Sequence, residues 1–266
     1  MRTIAVTNSK GGTAKTTTTV NLAASLGELG HRVLVIDLDP QGSASSWLGV
    51  DGATEGVADA IRGRIPLSEL LFETTAPGVV LVPASPSIVV AEPSEETRIA
   101  LGFIRAIDSL PAIWDVVMVD CPPSLGYLGI APLTACQEAL VPVEARVLAV
   151  TGLTSLAETM ARVRRRLNPG LRLAGVVACR VNRTSLSRAI VQRLAEDFPE
   201  QFMETRIREN IRLAEAPSFQ IPITLYAPSS TGAEDYRALA RELMAGWPAP
   251  TNRRSVAIPT GPVVRR

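Results

Sequence analysis

An α/β fold, a single domain with a mostly parallel twisted sheet carrying helices on both faces, is predicted by three features of the 266-residue sequence. Short apolar runs of strand length alternate with longer stretches of helical period. Several of those runs are continuously apolar, as strands buried on both faces must be. Hydrophobic residues make up 46% of the chain, enough to fill one large core. Taken in order, residues 3–7 read as a β-rich run, followed by a glycine-bearing turn and an apolar-periodic helix over 17–29. Strands at 33–36 and 116–119 each run into an aspartate, Asp37 and Asp120. Further strands are expected at 79–82, 139–143 and 173–178, between helices near 95–110, 151–167 and 187–198. A last helix over 232–245 closes the domain, placed at 1–246. The tail, 247–266, carries Pro248, Pro250, Pro259 and Pro262 at spacings that forbid a stable helix, and is expected to be flexible.

Composition narrows the function classes. Cys121, Cys136 and Cys179 are odd in number and lack metal-ligand spacing, so neither a disulfide framework nor a cysteine-rich zinc site is expected, and a reducing cytoplasm fits. No run approaches the roughly 18 apolar residues of a membrane span, and mean hydropathy is +0.19. With His31 as the sole histidine, expected in a solvated turn, a Ser-His-Asp hydrolase is excluded. Trp47, Trp114 and Trp247 are too scattered to stack single-stranded bases.

The net charge of +1 conceals an asymmetry. Residues 1–150 hold 9 Lys and Arg against 16 Asp and Glu, whereas residues 151–266 hold 18 against 10. A cationic second half points to a polyanionic partner. Of the 27 cationic residues only Lys10 and Lys15 are lysines, and both lie in one short loop. A compact ammonium is thus wanted there, where the chain elsewhere uses the planar guanidinium.

That loop, Lys10-Gly11-Gly12-Thr13-Ala14-Lys15-Thr16-Thr17, stands after the first strand and opens a helix, where backbone N–H groups and the helix N-terminus favour anionic oxygens. Lys15 can reach β- and γ-phosphates, and the Thr16 hydroxyl can ligate Mg²⁺. The usual G-x-x-x-x-G-K-[ST] pattern is not met, since Ser9 and Ala14 occupy both framing positions.

The loop resembles the deviant Walker A motif of the ParA/MinD family, with Lys10 as its additional lysine. The resemblance continues through Val35-Ile36-Asp37-Leu38-Asp39-Pro40-Gln41-Gly42, Val119-Asp120-Cys121-Pro122-Pro123-Ser124 and Asn210-Ile211-Arg212-Leu213-Ala214-Glu215-Ala216-Pro217-Ser218. It departs from the family at Ala14, where glycine is usual. The resemblance implies a P-loop NTPase of the deviant Walker A (SIMIBI) type, ParA-like without an N-terminal helix-turn-helix domain. It implies an ATPase, weak without its partner, using ATP, ADP and Mg²⁺. Lys10 would touch the phosphates of a second subunit in an ATP-state homodimer, while Lys15 and Thr16 act in cis. Asp37 would orient the attacking water and Asp120 would hold Mg²⁺ through its water shell, with Asp39 as a supporting carboxylate or merely a turn cap. Asn182 and Pro217 would frame the adenine.

Arg183 and Arg212 occupy positions where the family places DNA-contacting residues. Arg164 and Arg165, in a cluster with Arg162 and Arg166, either join them or complement a helix dipole. The implied function is ATP-dependent, sequence-independent binding to double-stranded DNA, and segregation of a plasmid or chromosome with a ParB-like centromere-binding partner, in the cytoplasm on the nucleoid. Alternatives are a ParA-like positioner of protein cargo and a MinD-like membrane-associated ATPase; the proline-broken tail offers no amphipathic helix for the latter, so no membrane partner is expected. An iron–sulfur reductase would need Cys121 and Cys136 as ligands; Cys121 reads instead as a buried apolar residue.

Overall fold

The computed structural model describes residues 1–88, 94–124, 126–146, 149–248 and 264–265. Its strands are β1 (Arg2–Val6), β2 (Val33–Asp37), β3 (Leu71–Glu73), β4 (Val79–Val82), β5 (Val116–Asp120), β6 (Glu138–Glu144), β7 (Arg172–Cys179) and the two-residue β8 (Val264–Arg265). The helices are α1 (Lys15–Glu28), α2 (Ser43–Trp47), α3 (Val57–Ile61), α4 (Ser94–Asp108), α5 (Tyr127–Ala135), α6 (Ala149–Arg166), α7 (Ser185–Asp197), α8 (Ile211–Glu215), α9 (Ile223–Tyr226) and α10 (Thr231–Leu243). The sheet order is β7-β6-β1-β5-β2-β4-β3-β8, parallel except where β3 runs against β4. Of the expected flexible tail, 249–263 and 266 lie outside the described residues.

Side-chain alternation divides the core into two layers. Val116 and Met118 of β5 enter the cluster under α1, α2 and α10, whereas Val117 and Val119 enter the opposite cluster with Phe103, Leu128 and Leu156. The inner strands β2, β4 and β5 therefore read as near-continuous apolar runs because both faces are covered. The small elements α2, α3, α8 and α9, four or five residues each, have no periodic signal and were not legible in the sequence.

Two features shape the carboxyl edge. Register sets Asp120 beside both Val6 and Asp37, so the ends of β1, β5 and β2 meet. Pro142, inside the central strand β6, sacrifices no ladder bond. Its β1-facing side lies beyond the last β1 pairing, Val6 with Leu140, and its carbonyl accepts instead from Asn8 Nδ2 at 2.8 Å. That bond anchors the chain as it leaves β1. His31 departs from expectation: it is only 5% exposed, because the turn after α1 packs under the loop at Gly78. Burial lowers its pKa, partly opposed by Asp115.

Candidate active site at the carboxyl edge

The loop that follows Asn8 folds back on itself. Lys10 N–H donates to Asn8 Oδ1 at 3.3 Å, and the Lys10 carbonyl accepts from Thr13 Oγ1 at 3.2 Å and from Lys15 Nζ at 2.9 Å. Gly12 and Ala14 both adopt left-handed backbone, at φ 72° and 65°. The first suits glycine; at the second an alanine Cβ bears the steric cost. Ala14 precedes α1, whose first turn has neither a side-chain cap nor an acidic residue, so the positive end of the helix dipole is left for an anion.

Thr16 Oγ1 donates to Asp120 Oδ2 at 2.7 Å and Thr19 Oγ1 to Asp120 Oδ1 at 2.8 Å. Asp120 is fully buried, and its carboxyl is pushed up to about 7 by burial and by Asp37, against the pull of the two hydroxyls and Lys15. Burial raises Asp37 to about 6, opposed mainly by its bonds from Ser45. Lys15 is drawn down by burial and held up by Asp120. Asp120, buried beside Asp37 and close to the Lys15 ammonium, sits in an excess of negative charge that a divalent cation would relieve. The Thr16 hydroxyl and the Asp120 carboxylate are oxygen donors suited to Mg²⁺.

A cavity of about 660 Å³ opens over the loop. Residues 11–17 form its floor, Asp39, Ser43 and Pro123 one wall, and Glu144, Cys179, Arg180 and the segment 207–211 the other. Thus Gly11, Gly12, Thr13, Ala14, Lys15, Thr16 and Thr17 stand together as expected. Lys10 is half-buried at the loop's start, off the wall of its own chain's cavity.

The acidic residues separate. Asp37 is 0% exposed and lies behind the wall, its Oδ2 accepting from Ser45 N and Oγ, both at 2.8 Å, and its Oδ1 from Asp39 N at 3.2 Å. Asp39 faces the cavity, where its Oδ1 also caps Gln41 N–H at 3.0 Å. Neither Asn182 nor Pro217 reaches the cavity wall; Asn182 Nδ2 donates to Glu209, which does. The far wall instead contains Arg180, Arg208 and Glu209, which sequence reasoning did not assign to the site. Arg180 is held in left-handed backbone at φ 53° and bonds Glu144 at 2.8 Å. Arg208 is clamped on Asp235 at 2.6 Å. No local signal marks them, because the ends of β6 and β7 and the segment after α7 meet only in the folded sheet. The three cysteines are buried and free, as an apolar role for Cys121 requires.

Arg183 is exposed just past β7, and Arg212 is exposed on α8, paired with Glu215 at 2.9 Å. Both belong to the carboxyl edge. Arg164 and Arg165 do not: α6 ends where β7 begins, at the sheet's opposite edge.

Residues 1–173 match the family described as an AAA domain. The chromosome partitioning protein ParA of Myxococcus xanthus is 38% identical over 262 residues, covering 96% of this chain and 92% of that one. The chromosome-partitioning ATPase Soj of Thermus thermophilus is 43% identical, covering 92% of this chain and 96% of its own. The chain belongs to the ParA/MinD family of partition ATPases. Among solved structures of this fold, one titled cobyrinic acid a,c-diamide synthase from Mycobacterium smegmatis, with bound ATP analogue and magnesium, superposes with a TM-score of 0.80 at 33% identity. It covers 93% of this chain and 96% of that one. Among the described residues no helix is long and apolar enough to cross a membrane.

Proposed function

We propose that this ParA/MinD-family chain is a nucleotide-gated DNA clamp: MgATP joins two subunits, the joined pair grips duplex DNA without reading its sequence, and hydrolysis releases it. The observation that carries the reading is the phosphate loop whose Thr16 bonds Asp120 at 2.7 Å at the floor of an open cavity. Bound Mg²⁺ would polarise the terminal phosphoryl group, held by the Thr16 hydroxyl and, through its water shell, by Asp120. Lys15 leaves the Lys10 carbonyl to meet the β- and γ-phosphates, and the N–H groups of α1 bind their oxygens. Lys10, off its own cavity wall, serves the nucleotide of the second subunit.

Asp39 orients the attacking water, in place of Asp37. Its carboxylate is at the wall and its Oδ2 has no protein donor among the described residues, whereas both oxygens of Asp37 are engaged behind it. Asn182 acts on the base side through Glu209, and Pro217 shapes the arm behind α8. Arg183 and Arg212 contact phosphates, and two such patches on one dimer bind far more tightly than one. A ParB-like partner stimulates turnover, and the cargo is a plasmid or chromosome on the nucleoid. The high identity to chromosome-partitioning relatives supports that part.

DNA binding with ADP, ATP and a salt series tests it. Lys15→Ala loses the ATP response, Asp39→Ala binds DNA with ATP but does not turn over, and Arg183→Ala with Arg212→Ala dimerises without holding DNA. Equal DNA affinity of the wild type with ADP and ATP would overturn the gating.

A further inference from the structure

The end of α6 places Arg162, Arg164, Arg165 and Arg166 on an exposed surface at the amino edge of the sheet. Several exposed arginines find carboxylates among the described residues, Arg172 with Glu138, Arg180 with Glu144 and Arg193 with Asp197, whereas others, such as Arg183 and Arg188, do not; what sets the end of α6 apart is that its unpaired arginines are consecutive. Among the described residues Arg164, Arg165 and Arg166 have no ion pair, and Arg162 bonds only the Thr159 hydroxyl. Three guanidinium groups within one helical turn repel one another, and the helix dipole compensates only in part. Arg164 and Arg165 border a shallow trough of about 370 Å³ walled by Ala161 and Pro169. It is too open to enclose a small molecule, and it offers planar donors to a passing chain of phosphates.

Its placement separates it from the proposed grip. Arg164 to Arg166 precede β7 and Arg183 follows it, so the two groups stand apart by roughly the length of that eight-residue strand, about 26 Å at 3.3 Å per residue. A single duplex lying along the carboxyl edge leaves the α6 end uncovered. We propose that the arginines ending α6 are a second contact for duplex DNA, through which a protein already held by Arg183 and Arg212 captures another segment. The inference rests on the DNA-clamp reading for its first contact, which raises the local concentration of DNA at the second. DNA is favoured over a lipid surface because the exposed end of α6 presents arginines with one flanking apolar side chain, Leu167, rather than an apolar face to insert.

The test loads full-length protein and an ATP analogue on an immobilised duplex, then offers a labelled second duplex. Wild type retains the label. Arg164→Ala/Arg165→Ala/Arg166→Ala binds the first duplex within about twofold but captures the second at least about tenfold less, and where residual capture is measurable at low salt, the slope of log capture against log salt is shallower by about three, near one per phosphate contact removed. Substituting the same three by lysine keeps the charge and restores capture, which separates lost contacts from a damaged helix. No capture by wild type, equal capture by the alanine variant, or equal loss in the alanine and lysine variants overturns the proposal. So does binding to phosphatidylglycerol vesicles that depends on these arginines while capture does not. Lys15→Ala protein tests the patch apart from the clamp: the three alanines should weaken its low-salt duplex binding, even if the wild type shows no nucleotide response, and unchanged low-salt binding would overturn the proposal.

Discussion

Ala14 holds a left-handed backbone, φ 65° and ψ 24°, at the point where the phosphate loop becomes α1. A Cβ in that region costs about 1 kcal/mol, and the cost persists because the flanking bonds to Lys10 and the start of α1 fix the turn. Ala14→Gly is therefore expected to stabilise the nucleotide-free protein by roughly 0.5–1 kcal/mol in urea unfolding, the relief being larger than the added flexibility of the unfolded chain. Equal or lower stability would show that the turn has relaxed around the methyl group. At this scale the sequence was legible as a motif but not as directions. Asp37 and Asp39 are two residues apart and chemically alike; only the turn after β2, where Leu38 N–H bonds the Asp120 carbonyl at 3.0 Å, sends one inward and the other to the cavity.

Among the elements, the short α2 had no signal in the sequence, yet it ties several parts of the fold together. Its first residue, Ser43, is on the cavity wall, its Ser45 satisfies Asp37, and its last residue, Trp47, donates its indole N–H to the Ile221 carbonyl at 2.9 Å. The segment that bears Arg212, Phe219 and Tyr226 is thereby tied to the nucleotide side of the molecule. A second tie comes from α1, where Asn21 Oδ1 accepts from Ile223 N–H at 2.7 Å. Trp47→Phe keeps the buried ring but leaves the Ile221 carbonyl without this donor. It should cost about 1 kcal/mol and speed amide exchange across 216–226, with exchange in β5 unchanged below the global unfolding limit. Unchanged exchange in 216–226 would mean that the remaining ties, from Asn21, Thr75 and Asp51, hold the segment without the indole. The long helices and apolar strands were legible because 14 to 18 residues of periodic pattern outweigh local noise. Five-residue α2 had only tertiary contacts to define it.

The whole molecule concentrates charge where three strands end. Both Asp37 and Asp120 have folded pKa values above the ordinary carboxylate value of 3.8, near 6 and 7. The folded state therefore binds more protons than the unfolded chain between about pH 4 and 7, and the pair's contribution to stability falls as pH rises through that window. Asp120→Asn removes one of the titrating groups and the charge beside the other. Plotted against pH in metal-free buffer, wild-type unfolding free energy should decline more steeply than that of the variant, by about 1 kcal/mol per pH unit. His31, with its lowered pKa, tilts both proteins the opposite way and cancels in the difference. Parallel curves would mean that the two carboxyls are not held as an uncompensated pair.

Local order is what the sequence determined by itself: the strand–loop–helix that cradles phosphate, the alternation that makes a parallel sheet, and the cationic second half. Each depends on neighbours within a few residues, whose dihedral preferences and hydrophobic period act before the chain collapses. Only the tertiary structure decided which aspartate faces the cavity, that Arg180, Arg208 and Glu209 complete its far wall, and that the two arginine groups stand at opposite edges. Those outcomes follow from strand order and register, which bring residues more than a hundred positions apart within hydrogen-bond reach and which short-range preferences do not encode.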